Sequence, residues 1–74
     1  MNLAWTYFLM KNYRSASYFY KRTTDIDPQN ANAFLYLGYS HLNMNDKEAA
    51  CFYFNKSSAL GSFEARENLR KFCE

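Results

Sequence analysis

Seventy-four residues are enough for one small domain, and a chain this short buries only about 60% of the surface its unfolded form exposes. Nine Lys and Arg against seven Asp and Glu leave a net charge of +2, too weak by itself to argue for nucleic acid or an anionic membrane. Seven Tyr, seven Phe and one Trp in a 49% hydrophobic chain exclude a disordered segment, and two Gly with one Pro exclude a strand-and-turn protein.

The chain opens with an apolar run from Leu3 to Met10, broken by Thr6. This run is too short to span a membrane and lacks the basic start and small-residue cleavage site of a signal peptide. Further on, Asp27-Pro28-Gln29-Asn30 ends one helix and starts another, since proline cannot continue a helix and Asn30 can cap the next. Phe34, Leu37 and Leu42, flanked by Tyr39, then mark an apolar face at helical spacing. Asn43-Met44-Asn45-Asp46 competes for backbone hydrogen bonds and suits a tight turn. Asp46 can cap the following helix, whose first turn carries Glu48 near the positive end of the dipole. That helix presents Ala50, Tyr53, Phe54, Ser57 and Leu60, and Gly61 suits the left-handed position that ends it. Phe63 to Phe72 reads as a closing helix, with Ala65, Leu69 and Phe72 on one face and Glu64, Glu67, Arg70 and Lys71 elsewhere.

Sliding the chain along itself until Leu3 meets Leu37 also aligns Ala4 with Gly38, Phe8 with Leu42 and Asn12 with Asp46. Ala16 then meets Ala50, Tyr18-Phe19-Tyr20 meets Phe52-Tyr53-Phe54, and Ile26 meets Leu60. Size and polarity agree at nearly every apolar position, which makes the chain an internal duplication. Each copy predicts two helices. Gly38 costs about 1 kcal/mol in a helix interior relative to Ala, so it needs a reason. A close crossing of two antiparallel helices supplies one, with Ala4, Ala16 and Ala50 as its other small residues. The expected fold class is therefore all-α, tandem antiparallel helical hairpins of about five helices.

These residues resemble the tetratricopeptide repeat, a helical hairpin of about 34 residues. With Ala31 as first position, Phe34 stands where that family has Trp, Leu37-Gly38 matches its Leu-Gly pair, and His41 replaces its Tyr. Ala50 and Phe54 match its Ala and Phe, while Ser57 replaces a further Ala. In the first copy Leu3, Ala4, Tyr7, Ala16, Tyr20, Thr23 and Pro28 take the corresponding places, and Ser62 replaces the proline in the second. The expected division is a first repeat over 1–30, a second over 31–62 and a closing helix over 63–74. Counting back from Pro28 puts Met1 at the fifth position of its unit. The expectation is then a fragment from the C-terminal end of a longer array.

The resemblance implies binding through a concave groove lined by the first helix of each repeat. The groove positions it carries over are Trp5, Phe8 and Leu9, then Asn32, Leu35, Tyr36, Tyr39, Leu42 and Asn43, then Arg66, Leu69 and Arg70. Leu42 and Leu69 fit the core better than the groove. The remaining partner-binding set is Trp5, Leu9, Asn32, Tyr36, Tyr39, Asn43, Arg66 and Arg70, where Trp, Tyr and Arg are the types that dominate interface energetics. The carboxylate clamp of some family members is poorly matched, because Met1, Trp5 and Tyr36 fall on three of its positions and only Arg66 and Arg70 fit. The expected ligand is a protein or peptide with an apolar or amphipathic segment, held by a scaffold, adaptor or chaperone-like module. A homo-oligomer through an N-terminal face carrying Leu3, Tyr7 and Phe8 is the alternative, and a regulatory appendage of a larger protein is a third.

No catalytic constellation is legible. His41 is the one histidine and reads as a packing residue with one hydrogen bond. Cys51 beside Ala50 reads as a packed small residue rather than a nucleophile, and Asp25 and Asp27 read as a solvated, turn-forming pair. Neither a phosphate-binding glycine loop nor a four-ligand metal site can be assembled, so no cofactor is expected. One disulfide between Cys51 and Cys73 is possible in principle, but two cysteines do not make a secreted framework, so they are expected as free, reduced thiols in a cytoplasmic protein.

Overall fold

The computed structural model describes residues 3–73. Its five helices are α1 (Leu3–Leu9), α2 (Tyr13–Ile26), α3 (Ala31–Asn43), α4 (Lys47–Ala59) and α5 (Phe63–Phe72). Helices α2 to α5 each start where a short polar side chain accepts a hydrogen bond from an otherwise orphaned first-turn amide. Asn12 accepts from Ser15, Asn30 from Ala33, Asp46 from Ala49 and Ser62 from Ala65, at 3.0–3.3 Å. Each such cap is worth about 1 kcal/mol. The predicted caps at Asn30 and Asp46 are therefore present, and Asn12 repeats the Asp46 cap one unit earlier.

Tight turns follow the same register. Lys11 and Asn45, equivalent positions of the two copies, both have a left-handed backbone, with φ of 61° and 63°. Gly61 takes φ 103° after α4, where a side chain would be strained.

Successive helices pack on one another, and α3 lies against both α2 and α4. Ala4, Ala16, Tyr20, Ala33, Phe34 and Leu37 form one core cluster, and Leu35, Ala50, Phe54 and Ala65 form a second. The close approach expected at Gly38 is real, but its partner is an aromatic ring. A methyl group added at Gly38 would sit 2.5 Å from Cε1 of Phe54, itself fully buried. Ser57, also buried, ties α4 to α3 by donating to the Ala31 carbonyl at 2.7 Å.

Two sequence expectations are corrected. Cys51 and Cys73 are not free thiols; they form a disulfide with Cα atoms 5.9 Å apart. The α4–α5 turn folds α5 back along α4, which brings the cysteine after the last turn of α5 onto the N-terminal half of α4. Composition carries no information about that fold-back. His41 does pack, with its ring stacked on Tyr53 at 5.4 Å. Its Nδ1, however, makes no hydrogen bond and lies 3.7 Å from Asp46 Oδ2. Asp25 and Asp27 are exposed as expected, Asp25 bonded to Lys21 at 2.7 Å and Asp27 accepting from the Gln29 amide.

A candidate binding groove built on aromatic rings

A run of rings joins α1 to α3. Trp5 meets Tyr36 edge-on at 5.3 Å, and Phe8 meets the same Tyr36 ring at 5.1 Å. Tyr20 of α2 stacks on Tyr36 at 5.6 Å from behind, and Tyr39 follows one turn along α3 at 5.8 Å. Tyr39 in turn meets Phe54 at 5.4 Å. Tyr36 is thus the hub that fixes the angle between α1 and α3. Each such ring pair adds about 0.5–1.5 kcal/mol beyond its buried area.

A polar contact continues the line onto α5. The Tyr39 hydroxyl donates to Glu64 Oε2 in the first turn of α5. Burial and then this bond to Glu64 push the Tyr39 hydroxyl up to about 12, because both penalise a phenolate. Asn68, buried next to it, pulls the other way. Burial also raises Tyr20 to about 12, with Tyr36 adding to the effect.

The eight predicted partner-binding residues separate into two groups. Trp5, Leu9, Asn32, Asn43, Arg66 and Arg70 are exposed, whereas Tyr36 and Tyr39 are half-buried supports. Several exposed members already have local partners. Asn43 Nδ2 donates to the Tyr39 carbonyl at 2.8 Å, the Arg66 guanidinium lies 5.7 Å from the Phe63 ring, and Arg70 is 3.7 Å from Glu67. Leu35, read as a groove position, is only 3% exposed and belongs to the second core cluster. Leu42 and Leu69 pack against that cluster as their core reading requires. Of the N-terminal set, Leu3 is 52% exposed, while Tyr7 and Phe8 are half-buried against the first cluster. Met1, a clamp position, lies outside the described residues.

Sequence reasoning missed Glu64 and Asn68. Glu64 reads on its own as a dipole-compensating residue in a first turn, and 25 positions separate it from Tyr39. Asn68 gives no signal, because a buried Asn at a helical core position runs against its usual exposure.

Paired helices repeating at one register, with small residues at their crossings, define a helical-hairpin repeat protein. Models of the tetratricopeptide repeat match residues 1–30 and 32–57, and the chain belongs to that family. Repeats of this kind are generally protein–protein interaction modules and carry no catalysis of their own. No curated protein and no solved structure matches the chain. Among the described residues, no helix is long and apolar enough to cross a membrane.

Proposed function

We propose that this chain is a non-catalytic interaction module that holds an apolar or amphipathic peptide or helix of another protein in a concave groove of α1, α3 and α5. The role is that of a scaffold, adaptor or chaperone-like holder. One observation carries it: a continuous line of side chains runs from Trp5 through Tyr36 and Tyr39 to Glu64, joining the three helices. Rings held this way lose little conformational entropy on binding, which favours affinity. Trp5 at one end and Arg66 and Arg70 at the other offer the anchors that dominate interfaces. The proposed role requires no particular compartment. The disulfide removes the ground for a cytoplasmic setting, since such bonds persist in oxidising surroundings.

Trp5 is the chain's one tryptophan and serves as the reporter. Titration with an amphipathic helical peptide should shift its emission. Leu9→Ser combined with Arg66→Ala should weaken binding by about tenfold, or about 1.4 kcal/mol, without lowering the melting temperature. Affinity that ignores both changes would remove the groove from the account.

A second reading, self-assembly, is favoured by exposed apolar residues crowded at α1. Leu3, Leu9 and Met10 are 52%, 61% and 60% exposed. It calls for a concentration-dependent mass in sedimentation that Leu3→Glu returns to that of a monomer. Phe8→Ala does not discriminate, because that ring is part of the chain's own packing.

A further inference from the structure

The outer sides of α2 and α4 repeat a stripe that the groove does not use. Tyr18, Arg22 and Ile26 follow at intervals of four on α2, and Phe52, Lys56 and Leu60 take the equivalent places of the second copy on α4 and its C-cap. That interval keeps each trio on one side of its helix. Tyr18 is 57% exposed, Phe52 55% and Ile26 83%. The Arg22 guanidinium lies 5.9 Å from the Tyr18 centroid, and Lys56 Nζ lies 5.3 Å from that of Phe52. Aromatic, cation and aliphatic residue therefore recur in the same order at the same register.

Within their bounds these helices are net positive, with one acidic cap each, Asp27 after α2 and Asp46 before α4. The helices themselves carry Arg14, Lys21, Arg22, Lys47 and Lys56 against Asp25 and Glu48. Lys21 is taken by Asp25, whereas Arg22 and Lys56 make no ion pair among the described residues. A cation above a ring keeps donors free for a carboxylate. Desolvation of the ring beneath strengthens the attraction when a ligand covers both.

The α4 stripe also runs into a pocket. Pro28 of the α2–α3 turn, Phe34 of α3, and Lys56, Ala59 and Leu60 line a shallow, widely open depression of about 240 Å³. The space is large enough to receive an apolar side chain. Its walls are apolar except for Lys56, and none of its five residues is a groove residue.

We propose that this outer face is a second docking surface, whose occupant is an acidic segment of a partner protein. One apolar side chain of that segment enters the pocket, and a neighbouring carboxylate meets Lys56, while Arg22 holds the equivalent place in the first copy. The uncompensated cations select an anion, and the apolar pocket selects a chain bearing hydrophobic side chains over a bare phosphate backbone. The surface is independent of the groove and leaves it free.

The test uses the whole isotopically labelled chain and two short synthetic peptides of equal length. One alternates Glu with Leu and Phe, and the other has Gln in place of Glu. The acidic peptide should shift the amides of Gln29, Phe52, Lys56, Ala59 and Leu60. Lys56→Glu, at an exposed position, should weaken it by about tenfold, the Gln peptide should bind at least about tenfold more weakly, and added salt should release the complex. Trp5→Ala should leave its affinity unchanged. Equal binding of the two peptides, indifference to Lys56→Glu, or shifts mapping to Trp5, Tyr36 and Arg66 would overturn the proposal. So would a response to phosphatidylglycerol vesicles or an oligonucleotide with none to the acidic peptide.

Discussion

Helices α1 and α5 are the two outer helices of this chain, and each packs chiefly on a single neighbour, yet they are held by different means. Helix α1 has seven residues, of which only Ala4 is buried, and Leu3, Trp5 and Leu9 face outward. What holds it is rings, with Trp5 and Phe8 against Tyr36 and Tyr7 stacked on Phe19 at 5.6 Å. Helix α5 has ten residues, a Ser62 cap, Arg70 and Lys71 at the negative end of its dipole, and a covalent bond from Cys73 to Cys51. Neither helix is packed between two others as α3 is, so each needs a further hold. One end solves this with aromatic area that stays half-exposed and available to a partner, and the other with a cross-link.

This contrast can be broken or sharpened by substitution. The largest effect is expected at Phe54, which is fully buried, presses on Gly38 and touches Tyr39. Phe54→Ala should cost about 3–5 kcal/mol in urea unfolding and loosen both ends together. Next comes the disulfide. It closes a loop between cysteines 22 residues apart, and Cys51→Ser with Cys73→Ser should cost about 3 kcal/mol, read as a lower melting temperature. A change much smaller than that would mean that packing alone docks α5.

Gly38→Ala tests the crossing. Helix propensity alone would make the alanine more stable by about 1 kcal/mol. The new methyl would meet a fully buried ring, which would have to shift. A net loss of about 1–3 kcal/mol is expected, and a gain in stability would show that Phe54 can shift.

The smallest effect concerns Tyr39. Removing its bond to Glu64 with Tyr39→Phe should cost about 1 kcal/mol at neutral pH. Its hydroxyl titrates near 12 in the fold against 10.0 without it, as does that of Tyr20. A raised folded-state value means that this stability is complete below pH 10 and is lost as pH climbs toward 12. Absorbance at alkaline pH should show two late-ionising groups, Tyr20 and Tyr39, of which Tyr39→Phe removes one.

The secondary structure was largely legible because its signals are local. Asn30, Asp46 and Gly61 act on the residues beside them, and a duplicated register doubles each signal. Sequence at the site reached which helices face one another but not which side chains turn inward. Leu35 reads as groove and lies in the core, and Phe8 reads as exposed and sits among the rings of Trp5, Tyr13, Tyr36 and Tyr39. The disulfide was illegible for the same reason. Whether Cys51 and Cys73 can bond depends on the angle at which α5 returns along α4, and that angle is set by Ala65 and Phe54 packing rather than by spacing.

Residue-resolved hydrogen exchange tests most directly the claim that the two outer helices are held by different means. In the oxidised chain, α3 should be best protected, α5 intermediate and α1 least. Reduction should drop α5 to the level of α1 or below and leave the α1 amides unchanged. Protection of α5 that survives reduction, or α1 amides as slow as those of α3, would contradict it.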